Sequence, residues 1–151
     1  MFRGVQHVSM DAKGRLAMPA RHREQLREQC DGQVVVTIDI GATCLVAYPL
    51  PEWERFERDV QALPAMKPPI RRFQRLTLGY ATDLELDGSG RCLLPASLRE
   101  YAKLDRKVVV VGHGTRLELW SEALWIAARD QALAVVAADD AMPDELLNLS
   151  L

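Results

Sequence analysis

Two stretches of the chain carry the residues best suited to chemistry. Residues 10–24 read MDAKGRLAMPARHRE and residues 86–100 read LDGSGRCLLPASLRE. Asp11 and Asp87, Gly14 and Gly90, Arg15 and Arg91, then Pro, Ala, Arg and Glu recur at the same places. One reading is local. Asp11 and Asp87 accept amides of their own turns, Gly14 and Gly90 supply a permissive backbone, and the arginines pair with the nearby carboxylates. The other reading is recognition. An arginine presents a rigid five-donor fork that matches phosphate and the O6/N7 edge of guanine. Lys13, Gly14 and Arg15 would put two cations at one loop tip with little bulk between them. A carboxylate beside each arginine would hold its rotamer and leave donors free. A two-stranded ribbon is narrow enough to enter the major groove. The residues themselves leave both readings open.

Catalytic readings are weaker. The DGSG of residues 87–90 is similar to the Asp-Ser/Thr-Gly loop of aspartic proteases, which also pair two carboxylates about a pseudo-two-fold axis. The partner loop, DAKG, sets Lys13 two residues from Asp11, and a cation there lowers the pKa that the pair must share. His7, His22 and His113 are far apart, without a second His or Cys at helix or hairpin spacing, so no metal site is expected. Each is read as a surface or partly buried imidazole. No phosphate-binding or dinucleotide glycine motif is present, and the Gly112–Gly114 segment reads as a strand-to-strand turn. Neither an enzyme nor a cofactor is expected.

The elements that must position the arginines are written twice as well. Strands are expected at 4–10 and 15–18 around a type I turn at 11–14, with Asp first and Gly last. Pro19 suits the first turn of a helix running to about Cys30, where Asp31 and Gly32 break it. The second copy repeats this: strand 83–86, turn 87–90, strand 91–94 and a helix from Pro95. A β-branched run follows in each copy, VVVTIDI from Val34 and VVVVG from Val108. Then come a turn near Gly41 or Gly114, a second strand (CLVAYP or RLELWS) and an amphipathic segment. Tyr48 matches Trp120 and Trp53 matches Trp125 at one constant offset. Trp53, Phe56, Val60 and Leu63 read as a core-facing helical stripe. Trp120 and Trp125 read as core or as a subunit contact. The domain division expected is a first repeat at 1–63, a proline-rich linker and basic helix at 64–80, a second repeat at 81–138 and an acidic tail at 139–151. Arg71, Arg72 and Arg75 of the basic helix read as a solvated face or a supporting contact.

Charge agrees only weakly with a nucleic-acid partner, since the net charge is -2 over 151 residues. Its distribution is uneven. Residues 1–76 hold twelve Lys/Arg against nine Asp/Glu, or +3, and residues 77–151 hold seven against twelve, or -5. A basic face on an acidic body is one reading of that asymmetry. Arg3, near the first turn in sequence, reads as a phosphate contact or a solvated charge. Cys30, Cys44 and Cys92 have no CxxC spacing and read as reduced core thiols. No apolar run approaches the roughly 20 residues that span a bilayer. The N-terminus has no signal-peptide pattern, so a cytoplasmic protein is expected.

The opening MFRG, the doubled Asp-x-x-x-Arg signature, YPLPEW at 48–53 and RRFQRLTLGYA at 71–81 together resemble the MraZ family of bacterial transcriptional regulators. The likeness runs from Met1 to about Trp125. It implies an AbrB-type swapped-hairpin fold: α+β, β-rich, two tandem half-units sharing a pseudo-two-fold, interleaved, barrel-like core with helices outside. It implies a homo-oligomeric ring that binds double-stranded DNA at short direct repeats, in the promoter of the division and cell-wall gene cluster. The protein would then be nucleoid-associated, with no membrane or small-molecule substrate. The DNA-binding residues so implied are Asp11 and Arg15 in the first copy and Asp87 and Arg91 in the second, with Lys13, Gly14 and Arg3 added from the reading above. Ser89 replaces Lys13 in the second copy, which makes the first turn the stronger contact. The competing class is an AbrB-type assembly module that binds a protein partner, as antitoxin-like relatives do.

Overall fold

The computed structural model describes residues 1–138 and 142–149. The acidic-tail expectation at 139–151 therefore lies partly outside the described residues. The first repeat contributes β1 (Val5–Ser9), β2 (Arg15–Ala17), α1 (Ala20–Cys30), β3 (Gln33–Ile38), β4 (Leu45–Pro49) and α2 (Leu50–Gln61). The connecting helix is α3 (Pro68–Gly79). The second repeat contributes β5 (Thr82–Glu85), β6 (Arg91–Leu93), α4 (Ala96–Ala102), β7 (Lys107–His113), β8 (Arg116–Ser121) and α5 (Glu122–Ala138), followed by the short α6 (Asp144–Leu147).

The element order is as read from sequence, but the pairing is not that of consecutive hairpins. Six strands form an antiparallel sheet in the order β1-β7-β8-β4-β3-β5, and β2 pairs with β6 in a separate ribbon. Exchanging the repeats reverses the order of the large sheet and maps it onto itself. The register obeys the same two-fold. Val46 faces Glu118 at the centre of the β4–β8 pair, and Leu16 faces Cys92 at the centre of β2–β6. The outer strand on each side is swapped: β1 pairs with β7 of the other repeat, and β5 with β3.

Two expectations are corrected by this topology. First, β1 and β2 are not a ribbon. They share one isolated bridge, Met10 with Leu16, and then part into different sheets. The short β2 pairs instead with β6 of the other repeat, and that pair is the ribbon. Second, the core is not a closed barrel. The six-stranded sheet is open, with β1 and β5 as its edges.

Both faces of the sheet are covered, which explains strands that are apolar without alternation. From β3, Val34, Val36 and Ile38 pack toward the ribbon, α1 and α4, joining Leu16, Leu26, Leu94 and Leu98. Val35 packs the other way, with Val46, Tyr48 and Trp53 under α2. In the second repeat Val109 and Trp120 pack in the same sense, against Leu124, Trp125 and Ala128 of α5. Each fully buried leucine contributes about 1.5–3 kcal/mol of hydrophobic stabilisation. The aromatic stripe on α2 is real for Trp53 and Val60, which are buried, whereas Leu63 lies beyond the helix and is 41 % exposed.

Helix ends follow the local sequence. In α1 the chain turns left-handed at Asp31 (φ 56°) and Gly32 (φ 74°), and their amides return to the carbonyls of Arg27 and Leu26. Lys103 (φ 54°) plays the same part after α4. No described helix is long and apolar enough to cross a membrane.

Candidate nucleic-acid interface

The two signature turns are built alike. Asp11 Oδ1 accepts the amides of Lys13 and Arg15, both at 2.9 Å. Asp87 Oδ1 accepts those of Ser89 at 2.9 Å and Arg91 at 3.0 Å. The second carboxylate oxygen meets the arginine: Arg15 Nη1 lies 3.4 Å from Asp11 Oδ2, and Arg91 Nε lies 3.4 Å from Asp87 Oδ2. The amides of Arg15 and Arg91 hold the respective carboxyls below the usual carboxylate range, helped by the next amide and by the guanidinium charge and against some desolvation. The local reading of the aspartates is therefore correct, and it is compatible with the other. Each aspartate organises its turn and lies within ion-pair distance of its arginine; Arg15 Nη1 donates to Asp11, whereas Arg91 Nε faces Asp87 without a hydrogen bond.

The ribbon sets where those donors point. Leu16 and Cys92 face inward and are buried. Period-two alternation then turns Arg15, Ala17, Arg91 and Leu93 to the outer face. Arg15 stands opposite Leu93 and Arg91 opposite Ala17, so the two arginines are diagonal neighbours, with Cα atoms roughly 7–8 Å apart. Arg15 and Arg91 side chains are 38 % and 42 % exposed. Lys13 is exposed at its turn tip. A groove of about 860 Å³ opens beside this face and takes in Arg15 and Arg91.

Arg3 does not belong to this cluster. Phe2 bridges Gly114 and Val5 pairs with Val111, so Arg3 sits at the β7–β8 hairpin end of β1. The Asp11 turn is at the opposite end, about 25 Å away along an extended strand. Nearness in sequence did not become nearness in space.

Sequence reasoning missed three arginines that support the turns. Arg23 Nη1 donates to the Ser89 carbonyl at 3.2 Å, and Arg27 Nη2 donates to the Asp87 carbonyl at 3.0 Å. Both cross from the first repeat to the turn of the second. Arg99, the equivalent of Arg23, donates from Nε to the Leu94 carbonyl at 3.0 Å and packs over Gly14. The backbone is left-handed at Gly14 (φ 93°) and Gly90 (φ 77°). A methyl group at either would run into Arg99 or Arg23. The signal was available: Arg23 and Arg99 belong to the repeated pattern, eight residues after each signature arginine.

His22 also departs from expectation. It is fully buried, not at the surface, and stacks edge-on against Phe2 with ring centroids 5.6 Å apart. Neither ring nitrogen has a hydrogen-bond partner among the described residues. Burial, with the Arg21 charge, pushes its pKa down, so it is a neutral core residue. Among metal-ligand types, Asp39, Cys44 and Glu118 bring donor atoms within 4.8 Å of one another. Burial and the two carboxylates push the Cys44 thiol up, and it donates to Asp39 Oδ2 at 3.7 Å. A protonated thiol and a hydrogen bond account for that contact. Cys30, Cys44 and Cys92 are free, with Cys44 and Cys92 buried and Cys30 half-buried. Of the basic helix, Arg71 donates to the Ala65 carbonyl at 3.2 Å, while Arg72 and Arg75 are exposed.

Comparison with known proteins agrees with the doubled architecture. A family model described as "MraZ protein, putative antitoxin-like" matches twice, over residues 1–76 and 77–144. A protein of Alkalilimnicola ehrlichii named transcriptional regulator MraZ is 54% identical over 151 residues, all of both chains. A protein of that name from Pseudomonas putida is also 54% identical over the whole of both chains. One from Halorhodospira halophila is 52% identical, again with both chains covered throughout. The repeated turns, the interleaved half-units and these full-length likenesses lead to one conclusion: the chain belongs to the MraZ family.

Proposed function

We propose that the protein is a non-enzymatic, DNA-binding transcriptional regulator of the cytoplasm and nucleoid. The observation that carries this reading is the outward placing of Arg15 and Arg91 on one ribbon face, each beside the carboxylate of its own turn aspartate. A guanidinium biased toward one orientation by a neighbouring carboxylate loses less freedom on meeting a phosphate or a guanine edge. The full-length relatives named transcriptional regulators support it. We extend the reading to a homo-oligomeric ring on short promoter direct repeats ahead of the division and cell-wall genes. A net charge of -2 makes such multiplicity useful, because modest contacts summed over several subunits bind well where one alone does not. Repeats about one helical turn apart, ~10 bp, would present the same groove face to neighbouring subunits.

The test is a gel shift with promoter DNA carrying intact or scrambled direct repeats at two salt concentrations. Intact repeats are expected to bind more tightly, and Arg15→Ala to lose most of that binding. Equal binding by wild type and Arg15→Ala would overturn the reading. It would favour the protein-partner module instead, for which the exposed Leu133, Val135 and Val136 of α5 are the motivating feature. A monomer by light scattering at micromolar concentration would remove the ring.

A further inference from the structure

The two-fold that relates the repeats does not hold for their charge. On one flank of the ribbon, β1 lies beside β7, and Ser9 pairs with Lys107. On the other, β5 lies beside β3, and the equivalent pair is Glu85 with Gln33. The residues entering β7 add Asp105 and Arg106, and the end of α4 adds Lys103. The residues entering β3 add Asp31 and Gly32. On β5, Asp83 stands where β1 has His7. The first flank thus carries Lys103, Arg106 and Lys107 against Asp105 and Glu122. The second carries Asp31, Asp83 and Glu85 against Arg27, whose guanidinium is engaged with the carbonyls of Asp87 and Gly88.

The groove beside Arg15 and Arg91 opens onto the first flank: Lys103, Arg106 and Lys107 line it. All three are exposed. Its carboxylates are Asp11, Asp105 and Glu122. Asp11 is engaged by Arg15, and Glu122 lies 3.1 Å from His7 Nδ1. A phosphate backbone leaving the ribbon therefore meets an excess of cations on one side and an excess of carboxylates on the other.

Resting on the DNA-binding reading above, we propose that the duplex is held asymmetrically, its sugar-phosphate backbone running over the α4–β7 flank and contacted there by Lys103, Arg106 and Lys107. The acidic β5–β3 flank stays clear of it. The pseudo-symmetric chain thereby gains a direction on DNA, with Arg15 and Arg91 at the bases and a single basic wall beside them. Such contacts position without reading sequence.

The experiment measures Kd by fluorescence anisotropy on intact and scrambled repeat duplexes between 50 and 200 mM salt, on the order of the range in which counterion release is read. It uses the full chain, Arg15→Ala, the triple variant Lys103→Gln/Arg106→Gln/Lys107→Gln and the flank control Asp83→Asn/Glu85→Gln. Each lost phosphate contact lowers the slope of log K against log salt by about 0.9, so the triple variant is expected to lower it by about 2–3. Its affinity should fall by about equal factors on intact and scrambled DNA. The control should bind as tightly as the wild type or tighter, with an unchanged slope. An unchanged slope in the triple variant, while Arg15→Ala still abolishes specific binding, overturns this proposal and leaves the DNA-binding reading standing. Loss in neither variant overturns both. Circular dichroism and light scattering accompany each variant. A changed oligomer mass in the triple variant would assign the flank to subunit contact and so refute the proposal.

Discussion

Arg23 of the first repeat donates to the Ser89 carbonyl in the second repeat's turn, 3.2 Å away, and its side chain fills the space a methyl group would need at Gly90. The turn and the arginine are thus fitted to each other. Gly90→Ala combines a left-handed backbone with a collision and is expected to cost about 1–3 kcal/mol. Arg23→Ala is expected to cost about 1–2 kcal/mol through the lost charged hydrogen bond. In the double variant the collision disappears, so its loss should be smaller than the sum of the two single losses. Urea unfolding of the four proteins measures this cycle.

The turn aspartates make a prediction about acid. Because the amides of Arg15 and Arg91 hold Asp11 and Asp87 below their ordinary value of 3.8, each favours the folded state when ionised. The unfolded chain takes up these protons first as pH falls. Stability from the two turns is therefore fully present above about pH 5, and it is lost as pH drops past the ordinary value and through the folded one. Asp11→Asn/Asp87→Asn should show a shallower loss between pH 5 and 3, read from urea midpoints. A parallel decline in both proteins would remove the turns as the source.

His22 behaves oppositely in type though not in direction. Its folded pKa is depressed by burial, so the neutral ring is favoured and the unfolded chain binds the proton first below about 6.5. Its share of stability is complete above that value and falls away as pH drops from there toward the folded pKa. His22→Phe keeps the ring contact with Phe2 and leaves no nitrogen unpaired. It is expected to gain about 1 kcal/mol at pH 7 and to flatten the wild-type slope between pH 6.5 and 5. Thermal melts across that range check both.

Leu16 stands at the centre of the ribbon and is fully buried. Leu16→Ala is expected to cost about 2–5 kcal/mol by transfer and cavity formation. Because the ribbon carries both signature arginines, DNA affinity should fall with it even where the variant remains folded. Binding measured well below the melting temperature separates the two effects.

What the sequence made legible was local. Asp and Gly at fixed places announced both signature turns, Asp31 and Gly32 announced the end of α1, and the β-branched runs announced β3 and β7. What stayed hidden was settled at long range. Consecutive strands usually neighbour each other, yet β1 passes β2 to pair with β7 on the side away from β8. Arg3 and Asp11 were separated by the same extension of β1. His22 holds the place that Leu98 holds in the second copy, and both are fully buried, so the repeat marked a core position that the residue type disguised. Of the candidate site, Asp11, Arg15, Asp87 and Arg91 were singled out from types and spacing, and the ribbon brings the two turns and their arginines together. The repeat marked Arg23 and Arg99, but which turn each packs against, at Gly90 and at Gly14, was set by the fold, as was the reach of Arg27 to the Asp87 carbonyl.

Since each repeat takes its outermost strand from the other, neither half owns a complete sheet. A chain severed in the proline-rich stretch before α3 would yield two fragments, each with a central strand lacking its outer neighbour. Mixing them should restore order where either alone has little, with a melting point that rises with concentration, as for two separate molecules that fold only by meeting.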